Sequence, residues 1–141
     1  MIRVALADDH NQVREIWHLI LSANDAFEVV AKCRNGEEAV TAAAVYAPDV
    51  FLMDINMQPL NGIEATAHIR KHHPAVKVIG MSMHMEPVYV KRMLEAGAAG
   101  YVTKNSSYEE VFKAIHLVNA GRQYICAEIE NKVPGLIAAQ S

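Results

Sequence analysis

At 141 residues, with a net charge of −3 and a pI near 6.1, the chain has room for one domain of about 100–150 residues plus a short appendage, and it lacks the basic footprint of a nucleic-acid-binding domain. A hydrophobic content of 52% against 21% charged residues excludes a disordered chain, and Cys33 and Cys126 match neither a metal nor a disulfide spacing. No run reaches the ~20 apolar residues of a membrane span, and the N-terminus leads straight into a strand pattern, so the expectation is a soluble, untargeted protein in a reducing cytoplasm.

The first predicted element is a strand over 2–7, IRVALA, ending at Asp8-Asp9. A helix follows from Asn11 to Ser22, with Val13, Ile16, Trp17 and Ile20 sharing one face at helical spacing. Asn24-Asp25 marks a turn. The strand FEVVAKC (27–33) then leads through Asn35-Gly36 into a helix over 37–46, which stops before Pro48 because proline disfavours helical geometry in the residue it follows. VFLM (50–53) is a short, wholly apolar strand ending at Asp54, and the polar loop to Asn61 leads into a helix over 62–72.

The strand VKVIGM (76–81) stops at Ser82, and a helix over 87–96 has Pro87 at its first position and Gly97 as its cap. The strand AGYVT (99–103) stops at Lys104, and the last helix, 108–119, turns Val111, Phe112, Ile115 and Val118 inward and ends by Gly121. Strands alternating with helices predict a parallel sheet, here one α/β domain over 1–121. The remainder, 122–141, reads as a linker or tail in which LIAA is at most a helix start, and it suggests a natural polypeptide that continues further.

In an open α/β sheet the ligand crevice lies outside the carboxyl ends of the strands. Asp8, Asp9, Asp54, Ser82 and Lys104 all follow such ends. Three crowded acids call for a cation, and Mg²⁺ takes carboxylate oxygens together with phosphate oxygens and water. Asp9 and Asp54 would bind it directly and Asp8 through water. With charge neutralised, a carboxylate can attack a phosphoryl group, and Asp54, exposed by its polar loop, is the candidate nucleophile. Lys104 would pair with one phosphoryl oxygen as a compact point charge, and Ser82 would donate a hydrogen bond to another.

Other side chains favour plainer explanations. His68 and His72 stand four apart on a helix, a metal-capable spacing without a third ligand. His10 and His84 flank the expected crevice, where loop histidines are commonly just solvated. Met53, Met57, Met81, Met83 and Met85 suit gap-filling beside a sheet.

The segments LADDHNQVRE (6–15), NGEEAV (35–40), PDVFLMDINM (48–57), NGIEAT (61–66), GMSMH (80–84) and LEAGAAGYVTKNSS (94–107) together resemble the receiver domains of two-component response regulators, most closely the NarL/FixJ (LuxR-type) branch. The match covers about Ile2 to Tyr124. The resemblance implies a flavodoxin-like, CheY-like (βα)5 sheet of order 2-1-3-4-5. It implies that Asp54 takes a phosphoryl group from a sensor histidine kinase, and that Asp9, Asp54 and the Asn56 backbone carbonyl bind Mg²⁺ with Asp8 assisting. It further implies that Ser82 and Lys104 work with Tyr101 as the switch aromatic, remodelling the face of the fourth helix, fifth strand and fifth helix. Asn56 and His84 fall where family members tune the phosphoryl lifetime. The implied partners also include a second copy, through first- or fifth-helix surfaces, and DNA through a C-terminal helix-turn-helix domain absent from this chain.

Two positions depart from the family pattern. Proline follows Met57 one residue late, at Pro59, and Asn105 rather than proline follows Lys104. A cis bond before a non-proline costs about 2.5–4 kcal/mol, so a trans Lys104–Asn105 bond is expected. Three competing functions remain. A haloacid-dehalogenase-like phosphatase would need an acid at position 56, which is Asn56. A flavin mononucleotide module would place phosphate against Asp8-Asp9. A degenerate receiver would act without phosphorylation, although every expected site residue is present.

Overall fold

Val50 to Met53 are all buried, as befits a strand covered on both faces of a parallel sheet, and the architecture is organised about them. The computed structural model describes residues 1–83 and 86–132. Along them run β1 (Ile2–Ala7), α1 (Asn11–Ser22), β2 (Phe27–Cys33), α2 (Gly36–Tyr46), β3 (Val50–Met53) and α3 (Gly62–His72). Then come β4 (Lys77–Ser82), α4 (Pro87–Glu95), β5 (Gly100–Thr103), α5 (Tyr108–Asn119), β6 (Tyr124–Ile125) and α6 (Ala127–Lys132). The strands form one parallel sheet of order β2-β1-β3-β4-β5-β6. α1 and α5 meet through Trp17 and Tyr108, whose rings lie edge to face at 5.5 Å, while α2, α3 and α4 touch in series.

The order 2-1-3-4-5 is as expected, with one addition. Part of the stretch expected as linker or tail is packed: β6 pairs with β5 in parallel, and Ile125, Cys126 and Ile129 are buried. Glu110 on α5 holds the segment, its Oε2 accepting from the Tyr124 hydroxyl at 2.7 Å and from the Ala127 amide at 2.8 Å. The expected LIAA helix start lies outside the described residues.

α1 is rotated from its expected face. Arg14, Trp17 and Leu21 are buried, whereas Ile16 is exposed. The Arg14 guanidinium explains the turn: Nη1 donates to the Asp8 carbonyl at 2.7 Å, and Nη2 donates to Asn11 Oδ1. On α5, Val111, Ile115 and Val118 are buried as expected, and Phe112 is half-buried against Phe27 with rings 5.4 Å apart. The helix ends match their residues. Asn35 and Asn61 cap α2 and α3, Asn61 in a reciprocal capping box with Glu64, and Gly97 and Gly121 take positive φ after α4 and α5. Among the described residues the one cis bond precedes Pro59, so Lys104–Asn105 is trans.

Candidate functional site

The strand ends meet because the sheet ladder keeps them in register. Ala7 pairs with Met53, and Met53 with Gly80, so Asp8, Asp54 and the end of β4 lie side by side. Backbone bonds run one residue past the strands: Asp8 N–H donates to Cys33 O at 3.0 Å, Asp54 N–H to Ala7 O at 2.9 Å, and Lys104 N–H to Ser82 O at 3.0 Å. The site residues are therefore held by the same hydrogen-bonding pattern that builds the sheet. The loop after Asp54 closes where Gly62 N–H donates to Ile55 O at 2.8 Å. Only glycine fits at 62, since a Cβ there would collide with the Asp54 carbonyl.

Asp54, expected to be exposed by its polar loop, is instead only 3% exposed, and Asp8 6%, and the two acids share one cation of the chain. Lys104 Nζ lies 2.8 Å from Asp8 Oδ2 and 3.5 Å from Asp54 Oδ2. Asp54 Oδ1 accepts from the Asn56 amide at 3.4 Å, whereas its buried Oδ2 accepts no hydrogen bond among the described residues. Burial pushes the Asp54 carboxyl up to about 6, helped by the neighbouring Asp8 charge, against the opposing pull of Lys104 and the Asn56 amide.

Ligand atoms of Asp8, Asp9, His10 and Asp54 lie within 4.8 Å of one another. Three carboxylates against one ammonium leave an excess of negative charge, and Asp54 Oδ2, 3.5 Å from Lys104 Nζ, accepts no hydrogen bond among the described residues. Three carboxylates with no thiolate among them fit a hard divalent cation rather than a thiophilic one. His10 is the member whose involvement the sequence understated: its Nδ1 sits 3.1 Å from Asp8 Oδ1 and 3.0 Å from Asp9 Oδ1, with the ring largely in solvent. Arg14 was missed altogether, because helical spacing registers apolar positions and not a buried guanidinium.

Ser82 and Tyr101 are both fully buried. The Tyr101 hydroxyl shares a hydrogen bond with the Ser82 side chain, and burial pushes the phenol well above its usual range. Asn56 is exposed at the rim of the acid cluster. His84 and Met85 lie outside the described residues. Met53, Met57 and Met81 fill the core, while Met83 is exposed. The His68 and His72 rings lie 4.4 Å apart at a tilt of 41°, and among the described residues no third ligating group joins them. Cys33 and Cys126 are free, buried thiols, and burial pushes Cys33 up to about 12. Among the described residues no helix is long and apolar enough to cross a membrane.

Known proteins share this sequence pattern and fold. The chain is 40% identical over 133 residues to the response regulator GacA of Pseudomonas viridiflava, covering 94% of this chain and 62% of that protein. It is 38% identical to the response regulator UvrY of Escherichia coli, with 94% and 61% covered, so it spans less than two thirds of the length of these curated relatives. A two-component response regulator of the LuxR family from Aurantimonas superposes with a TM-score of 0.91 at 33% identity, over 98% of this chain and 99% of that one. The signal receiver domain of the putative response regulator NarL from Mycobacterium tuberculosis gives 0.83 at 33% identity, over 86% and 98%. Residues 4–116 match the family described as the response regulator receiver domain. With its acids and lysine gathered at the ends of a 2-1-3-4-5 sheet, the chain belongs to the receiver domains of two-component response regulators, in their NarL/FixJ (LuxR-type) branch.

Proposed function

We propose that Asp54 is the phosphoryl acceptor of this receiver, with a sensor histidine kinase as donor. The observation that carries the reading is the convergence of Asp8, Asp54 and Lys104 at neighbouring strand ends, where Asp54 Oδ2 accepts no hydrogen bond among the described residues. A bond forms between an Asp54 carboxylate oxygen and phosphorus as the P–N bond of the donor phosphohistidine breaks, and the imidazole departs with the electron pair. Asp8, Asp9, Asp54 and the Asn56 carbonyl are the residues that would hold Mg²⁺, which when bound supplies charge neutralisation for the incoming phosphoryl group. That Lys104 would follow the new negative charge is supported by its reach to both buried acids. Ser82, already bonded to Tyr101, relays that charge to β5.

The catalysis is self-directed and the module signals rather than turning over a substrate. Placement in the cytoplasm follows from the kinase it would serve. Self-association through α1 and α5 is supported by Ile16, Leu19 and Tyr108, which are 50%, 67% and 52% exposed. A DNA-binding domain beyond this chain is supported by the fuller length of the relatives. Intact mass of wild type and Asp54→Ala, incubated with Mg²⁺ and acetyl phosphate, tests the acceptor. One phosphoryl adduct in wild type alone is expected, and an adduct in both proteins refutes the assignment.

A further inference from the structure

We propose that the Tyr101 ring and the C-terminal segment Tyr124–Lys132 compete for one edge of the sheet. The segment docks when the ring lies over Gly80 and leaves when the ring swings off it. Tyr101 pairs with Gly80 of β4 on one side and with Ile125 of β6 on the other. In-register residues of parallel neighbours put their side chains on the same face, so Tyr101 sits between a residue with no side chain and one with a buried isobutyl-sized group. The ring has taken the empty side: a Cβ at Gly80 would lie 2.9 Å from Tyr101 Cδ2 and 3.1 Å from Met93 Cε. Leaned the other way, the ring would enter the place of Ile125, itself 6% exposed.

What the ring permits is a docked segment. Tyr124 N–H donates to Ala99 O and Cys126 N–H to Tyr101 O, each at 3.0 Å, and Glu110 clasps the turn between β6 and α6. What holds the ring is its bond to Ser82 at the end of β4. A single side chain with two seats thus couples the strand-end site to the part of the chain that leads away from the domain, and anything that biases one seat shifts the other equilibrium by the same free energy. The competition stands on packing alone. Its connection to phosphorylation rests on the reading of Asp54 and Ser82 above.

Amide hydrogen exchange at Tyr124 and Cys126, without Mg²⁺ or phosphoryl donor, tests the competition. Gly80→Ala should expel the ring and speed both amides by roughly tenfold or more relative to β1 and β3 amides. Adding Tyr101→Ala should restore slow exchange, which mere loss of stability would not do. Unchanged amides in Gly80→Ala, or a double variant that exchanges as fast as the single one, overturn the proposal. Should Gly80→Ala not fold, Ile125→Ala opens the second seat instead. The fluorotyrosine resonance of residue 101, assigned with Tyr101→Phe, should then shift or double, and an unmoved single resonance overturns the proposal. In wild type, Mg²⁺ with beryllofluoride should slow the same two amides. Failure of that arm alone sinks the link to Asp54 and leaves the competition standing.

Discussion

Asp54→Asn should make this domain more stable while abolishing its acceptor. Without a bound cation the Asp54 carboxyl rises from 3.8 to about 6, a difference of roughly 2 units, which corresponds to about 3 kcal/mol of destabilisation once the group is fully ionised. The sign follows from proton counting. The folded state holds its proton to higher pH than the unfolded chain does, so stability falls as pH climbs from about 4 through about 6 and levels off above. Asparagine keeps the shape and stays neutral, and its gain at pH 7.5 should approach about 3 kcal/mol, shrinking to about 0.5 kcal/mol at pH 4. Urea unfolding of both proteins at the two pH values, without and with Mg²⁺, is the assay. Added Mg²⁺ should close the gap by stabilising wild type selectively. No gain at pH 7.5, or an equal gain at both pH values, refutes burial and charge crowding as the origin of the shift.

Removing the compensating cation should act in the opposite sense. Lys104→Ala leaves two buried acids facing each other and should cost about 3 kcal/mol at pH 7.5 in chemical unfolding, with much of it recovered on acidification. Gly62→Ala drives a methyl group into the Asp54 carbonyl. It should destabilise by about 2 kcal/mol or more in thermal unfolding and slow adduct formation in the acetyl phosphate assay. Glu110→Ala strips partners from Tyr124 and Ala127 and should loosen the last two elements locally by about 1–2 kcal/mol, seen as faster exchange there with the core unchanged. Leu19→Glu, at a position 67% exposed, should move stability by no more than about 0.5 kcal/mol, yet abolish any phosphorylation-dependent self-association in sedimentation velocity.

The convergence of Asp8, Asp54 and Lys104 was legible because strand ends are short-range signals with a long-range consequence. Asp8, Asp54, Ser82 and Lys104 each follow an apolar run, and the parallel sheet alone brings them together. Features that depend on one side chain reaching a distant group were not legible. The rotation of α1 turns on Arg14 finding the Asp8 carbonyl, and nothing in helical periodicity anticipates that bond. β6 is only two residues long, too short to show a period, and it is fixed by Glu110, fourteen residues earlier. The seat for Tyr101 needed the register of three strands, since Gly80 alone reads as an unremarkable glycine within a strand.

The capping of α3 also bears on chemical ageing. Asn61-Gly62 is the dipeptide in which the glycine amide most readily attacks the preceding side chain, closing a succinimide and expelling ammonia. Here both reacting groups are engaged elsewhere: the Asn61 oxygen accepts from the Glu64 amide at 2.9 Å, and the Gly62 amide is committed to the Ile55 carbonyl at 2.8 Å. Deamidation at this bond must therefore await local opening of the loop that carries Asp54. The age of a preparation, read as isoaspartate at 61, becomes a record of how often that loop has come apart.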